Sequence, residues 1–262
     1  MRFPFAHAYF ICFAAIQVLG CAAGAANPAA SDDATKASDV AAQADATPRS
    51  EPTPRVPEPS VKPGINDPYF KSGALDTYTR ILEAKTREIV QRRTEIVDAI
   101  GLEKGMVVAD IGAGTGLLTT GIAERVGKRG TVFAVDIVPA FLERIRDRVR
   151  DAGLTNVIVV EGEERATGLE PASLDLAFMC DTYHHIEYPE AYLASLFESL
   201  RPGAVLVLVD MKRPEHQSSA AVLRHVRADK PTVVSEFEEA GFVFDSELDL
   251  LRENYYLRFR RP

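Results

Sequence analysis

The chain has 262 residues, 46% of them hydrophobic and 26% charged, enough for a globular domain with one sizeable core. A formal charge of -8 supplies no basic face of the kind that phosphate neutralisation requires, so nucleic acid is not expected as a substrate. Cys12, Cys21 and Cys180 are too few and too scattered for a disulfide framework or a zinc cluster, and no bound metal is expected.

Residues 1–20, MRFPFAHAYFICFAAIQVLG, place Arg2 ahead of an apolar stretch that is short for a membrane span and closes on small residues. That is the pattern of an export signal. Val18-Leu19-Gly20-Cys21 resembles a bacterial lipobox, although Leu19 sits one place late and His7 and Gln17 interrupt the apolar run. The resemblance implies acylation of Cys21 and an exported, membrane-associated protein. An uncleaved anchor and a plain signal peptide are the alternatives. Residues 21–67, rich in Ala, Pro, Ser, Asp and Thr, hold too little apolar surface to offset the entropy of ordering and are expected to form a disordered tether.

Residues 68–104 precede the first strand. Ile81, Ile89, Ile96 and Ile100 recur at helical spacing between charges, which predicts one or two amphipathic helices. The period then switches. Apolar runs of strand length at 106–111, 131–135, 156–160, 174–179 and 204–210 alternate with helical stretches at 117–126, 139–151 and 189–200. Alternation of this kind predicts an α/β, doubly wound and mostly parallel sheet over residues 105–262. The last two runs, 242–250 and 254–260, follow each other with no helix between them and predict an antiparallel hairpin at one edge.

The first strand runs into Gly112-Ala113-Gly114-Thr115-Gly116 and then a helix, which in an open α/β sheet brings backbone amides up to a ligand. A ligand carboxylate suits such a place. The dinucleotide fingerprint needs its third glycine where Leu117 stands, so the spacing disfavours a nicotinamide cofactor. About twenty residues on, the second strand ends in Asp136, placed to accept hydrogen bonds from ribose hydroxyls.

VADIGAGTG (108–116), AVD ending at Asp136 and LRPGAVLVLVD (200–210) resemble, in order, three motifs of the class I S-adenosylmethionine-dependent methyltransferases. The resemblance covers about residues 105–262. It implies a seven-stranded Rossmann-like sheet and S-adenosyl-L-methionine as cofactor. The methionine end would lie over Gly112, Ala113, Gly114 and Gly116 with Asp110 near it, bordered by Asp181. Asp136 and Ile137 would meet the ribose, and Glu163, in EGE after the third strand, would lie near the adenine amine.

Methyl transfer is an in-line displacement that needs the acceptor aimed and, if it carries a proton, a base. The run Cys180-Asp181-Thr182-Tyr183-His184-His185 follows the fourth strand at the carboxyl edge of the sheet, so His184 and His185 are the candidate bases and Tyr183 a candidate pocket residue. Packing or capping would explain each equally. Asp210, Lys212, Arg213, His225, Arg227 and Lys230 follow the fifth strand and read as solvated charges. The leading expectation is a methyltransferase acting on a small molecule. A catalytically silent module of the same fold and a nicotinamide-dependent dehydrogenase are the alternatives. Export conflicts with a donor made in the cytosol, which keeps a cytoplasmic location open.

Overall fold

The computed structural model describes residues 57–213 and 219–262. The export signal, Cys21 and most of the expected tether lie outside the described residues. Residues 57–66, read from composition as tether, are packed instead. A single 3-10 turn at Asp67–Phe70 leads to α1 (Ala74–Leu82), α2 (Glu88–Gln91) and α3 (Arg93–Ala99), three short helices in place of the one or two expected. Helices α2 and α3 bury Ile89, Ile96 and Val97, whereas α1 buries only Ala74 and leaves Ile81 half exposed.

The alternating pattern then produces β1 (Val107–Ile111), α4 (Thr119–Val126), β2 (Thr131–Asp136), α5 (Pro139–Asp151), β3 (Val157–Glu161) and β4 (Leu174–Cys180). Next come α6 (Pro189–Ser199), β5 (Leu200–Met211), α7 (Ala220–His225), α8 (Lys230–Glu239), β6 (Val243–Leu248) and β7 (Asn254–Arg260). Strand boundaries agree with the apolar runs to within a few residues. Helices α7 and α8 were not foreseen, because their charges were read as solvated loop; α8 is defined at its start by Asp229, whose Oδ1 accepts from the Thr232 amide at 3.1 Å. Packing also holds residues 57–66 in place. The N-terminus of α6 has no side-chain cap of its own, and the Glu58 carboxylate accepts from the Glu190 and Ala191 amides, each at 2.9 Å.

All seven strands form one sheet in the order β3-β2-β1-β4-β5-β7-β6. The first five are mutually parallel, and β7 runs antiparallel to both β5 and β6. The predicted doubly wound, mostly parallel sheet with a closing hairpin is the one observed. Within that hairpin the final strand is internal and β6 holds the edge, so Tyr255 and Tyr256 of β7 are buried. One face packs Leu193 and Leu196 of α6 and Val233 and Phe237 of α8. The other packs Ile96 and Val97 of α3 and Ile122 and Val126 of α4. Because β1 lies between β2 and β4, the chain leaves β1 and β4 toward opposite sides and opens a crevice at their carboxyl ends. No helix among the described residues is long and apolar enough to cross a membrane.

Phe237 ties α8 to the sheet, with its ring 4.6 Å from Phe259 and 4.8 Å from Tyr183. Truncation at a fully buried aromatic of this kind costs about 3–5 kcal/mol. Thermal unfolding followed by circular dichroism should place Phe237→Ala about 10 °C below the parent chain.

Candidate functional site

The crevice holds a cavity of about 530 Å³. Its floor is the glycine loop and the ends of β1, β2 and β4; its cover is Asn66, Tyr69, Tyr78, Leu82 and Arg87 from the segment before the sheet. None of the cover was legible in the sequence as site. Its isoleucine spacing signalled amphipathic helices but not what their apolar faces meet.

At the floor, the amides of Gly112 and Ala113 both donate to the Val135 carbonyl, which folds the loop back over β2. Gly112 has φ +67°, and a Cβ there would stand 2.2 Å from Cγ2 of Thr182, so neither conformation nor space admits a side chain. At Gly114, a Cβ would stand 3.7 Å from Cδ1 of Leu82, between loop and cover. Asp136 closes this arrangement: its Oδ2 accepts from the Gly114 amide at 2.7 Å and its Oδ1 from the Val138 amide at 2.9 Å. Each oxygen keeps a lone pair, and the carboxyl lines the cavity. Burial pushes it up to about 6, against the pull of those amides.

Ala113, Ile137, Glu163 and Asp181 also line the cavity, and Glu163 is solvent-exposed at its rim. Asp110 lines it too but is turned toward α4, where its Oδ2 accepts from the Thr119 hydroxyl at 2.5 Å. Burial raises this carboxyl to about 6 as well. A cofactor with a ribose and a carboxylate fits these groups: acceptor atoms at Asp136, unsubstituted backbone at the loop, and depth between loop and cover.

Gly116 departs from its expected role. It does not line the cavity; with φ +74°, it lies 3.3 Å, measured from the position of an added Cβ, from Ile145 Cγ1 of α5. Helix packing, rather than ligand contact, requires glycine there. Asp181 is held in a left-handed conformation, φ +49°, that a non-glycine residue adopts at a cost of order 1–3 kcal/mol. Its carboxylate accepts from Arg87 and from the Asn254 amide group, which fixes it between the cover and β7. Burial raises its affinity for a proton, Asp210 adds to this, and Arg87 opposes it.

The double histidine enters a single 3-10 turn, Tyr183–His185, and its members diverge. His184 is buried, with Nδ1 2.6 Å from Asp210 Oδ1 and its amide donating to Asp210 Oδ2 at 3.1 Å. Burial lowers its affinity for a proton, but Asp210 more than compensates and the net direction is up. His185 stands edge-on to Tyr69, and burial together with His184 and His225 drives it down to about 2, so its ring is neutral. His225, from the end of α7, completes the wall and is also shifted down, mainly by burial. Sequence reading treated Asp210 and His225 as solvated; they converge only through the positions of β5 and α7.

Tyr183 does not serve the pocket. It points into the core, packs at a tilt against Phe237 and donates to Glu236 Oε2 at 2.6 Å, while Arg227 forks onto the same carboxylate at 2.7 and 2.8 Å. Its side chain packs as a core aromatic, off the cavity lining. Lys212 and Lys230 are likewise structural, bonded to the Leu251 carbonyl and to Glu247.

Sheet order, glycine loop and terminal aspartate together define the fold of the class I methyltransferases. Residues 108–203 match the family described as a methyltransferase domain. The chain is 29% identical over 122 residues to the ubiquinone/menaquinone biosynthesis C-methyltransferase UbiE of Shewanella pealeana, covering 46% of this chain and 49% of that protein. Against the enzyme of the same description from Idiomarina loihiensis it is 30% identical over 119 residues, 45% of this chain and 47% of that protein. The chain thus spans about half the length of the curated relatives it matches. Among solved structures, a SAM-dependent methyltransferase from Aquifex aeolicus superposes with a TM-score of 0.65 at 24% identity, over 71% of this chain and 98% of the other. Phosphoethanolamine N-methyltransferase 2 of Haemonchus contortus, solved with S-adenosyl-L-methionine, gives 0.57 at 17% identity, over 70% of this chain and 44% of that one. Both share the fold.

Two substitutions separate floor from core. Gly112→Ala should drive the loop away from Thr182 and abolish binding of S-adenosylmethionine in calorimetry. Tyr183→Phe should leave ligand binding unchanged and lower stability in urea titration by about 1.5–3 kcal/mol, the worth of a hydrogen bond to a charged group.

Proposed function

We propose that the protein is an S-adenosylmethionine-dependent methyltransferase acting on a small molecule. The observation that carries this is Asp136, a buried carboxylate at the tip of β2 that fixes the glycine loop through Gly114 and keeps acceptor capacity toward the cavity. S-adenosylmethionine supplies a sulfonium methyl group when bound. In this reading Asp136 takes the ribose hydroxyls, the unsubstituted backbone of the Gly112–Gly114 turn lets the methionine end lie close, and Glu163 at the rim faces the adenine amine. Asp181 and Asp110 border the methionine side. The acceptor occupies the part of the cavity walled by Tyr69, Ile186, Met211 and the histidines. An aromatic or otherwise apolar acceptor suits that wall, and the C-methyltransferase role of the Shewanella and Idiomarina relatives supports trying carbon acceptors first. His184, oriented by Asp210, and His185 are the groups that meet it, with His184 Nε2 as the proton acceptor.

Calorimetry with S-adenosylmethionine should give one binding site, and Asp136→Ala should abolish it. Binding needs Asp136 ionised, since a protonated carboxyl gives up acceptor capacity to the ribose hydroxyls. Affinity should therefore be flat above about pH 6 and fall as pH drops below it, approaching tenfold per unit, with the dependence removed in Asp136→Asn. Incubation with isotopically labelled donor and a metabolite extract should label a small molecule; tight donor binding with no labelled product would instead favour the catalytically silent module.

We further propose that the chain is exported and held at a membrane through a lipid on Cys21, on the strength of residues 1–21 alone. Palmitate labelling with fractionation should find the wild type labelled and in membranes, and Cys21→Ala unlabelled. A soluble, unlabelled wild type would remove this reading without touching the first.

A further inference from the structure

His184, His185 and His225 bring one ring nitrogen each to within 4.8 Å of one another at the acceptor end of the cavity. Their ring centroids lie 4.3, 4.9 and 4.9 Å apart. Three imidazoles gathered in one wall can be stacked aromatic packing, but two further observations point to a shared ligand. His184 commits Nδ1 to the buried Asp210 carboxylate, which leaves Nε2 as its free nitrogen and fixes the ring's orientation. A carboxylate behind a ligating histidine is the usual support of a protein metal site. His185 Nδ1 is buried and has no hydrogen-bond partner among the described residues, which leaves a desolvated polar atom for a ligand to meet.

We propose that His184, His185 and His225 hold a divalent cation of the zinc type, with Asp210 positioning His184. Three nitrogen ligands suit zinc, copper, nickel or cobalt and not the oxygen-seeking magnesium or calcium. Bonds of about 2.0–2.1 Å in a tetrahedron place ligand nitrogens about 3.3 Å apart, so the trio must close somewhat from its present spacing. Helix α7, which carries His225, buries none of its six residues and can shift at little cost. All three histidines line the cavity, so the fourth position opens into it. Three protein ligands with one open position describe a site for reacting or binding groups and not a structural cross-link. The ligand that completes it is an oxygen, nitrogen or sulfur atom of the acceptor. That role rests on the transferase reading, whereas cation binding itself does not. Because Nε2 of His184 cannot ligate and accept a proton together, the cation replaces the base function assigned to that residue.

The test uses the full chain, stripped with a chelator, in parallel titrations with Zn²⁺ by calorimetry and Co²⁺ by visible absorption. One equivalent of each should bind, with cobalt bands of a nitrogen-ligated, low-coordinate site. His225→Ala and His185→Ala should each weaken binding at least 100-fold and erase those bands, and Asp210→Asn should weaken it about 10–100-fold. Circular dichroism checks that each variant is folded, and His225→Ala, on a helix that buries nothing, is the variant least exposed to misfolding. Substoichiometric binding, or binding that survives the His185→Ala/His225→Ala double substitution, would overturn the proposal. Calorimetry with S-adenosylmethionine on the same samples keeps the two readings apart. A chain that binds the cation and not the donor retains this site and loses the transferase assignment; one that binds the donor and not the cation does the reverse.

Discussion

A carboxylate kept nearly dry at the tip of β2 organises this molecule's cleft. Asp136 ends its strand where the glycine loop returns over it, and a backbone amide on each oxygen offsets the burial. The loop is fixed from the other side by the Val135 carbonyl, which takes the Gly112 and Ala113 amides. Parallel pairing of β1 with β2, Ile111 opposite Val135, sets the height at which loop and aspartate meet. A slip of one residue in that register would turn Asp136 to the other face of the sheet.

The histidine end of the cavity depends on the fold at longer range. Asp210 reaches His184 because β4 and β5 are parallel neighbours in register, with Cys180 opposite Val209. The turn at 183–185 then sends successive side chains to different places: Tyr183 into the core against Phe237, His184 to Asp210, His185 to Tyr69. Asp181 absorbs the change of direction in a left-handed conformation, fastened by Arg87 and Asn254.

Period and composition were enough to read the sheet, because buried parallel strands must be apolar throughout and their helices must be amphipathic. The loop and Asp136 were legible as a cavity floor for a similar reason: they are short runs of residues whose spacing is fixed by a strand and a turn. Three things escaped. Gly116 reads as ligand-facing, yet a glycine can be demanded by a helix behind it as readily as by a ligand before it. Tyr183 shares a turn with the histidines, but a 3-10 turn distributes neighbours around its axis, so adjacency in sequence says little about which residue meets the cavity. The convergence of His185 with His225 depends on α7, a helix with no buried residue and hence no apolar period to announce it.

The cover has a consequence for how the protein is divided. Similarity to the methyltransferase domain begins at residue 108, after the segment that supplies Asn66, Tyr69, Tyr78, Leu82 and Arg87 to the cavity. That segment is stitched to the rest by Glu58 on α6, Arg87 on Asp181 and Arg148 on Glu83. The stretch matched by that family and the stretch that encloses the cavity therefore have different beginnings. An expression boundary drawn at the first would keep the sheet and remove one wall of its cavity.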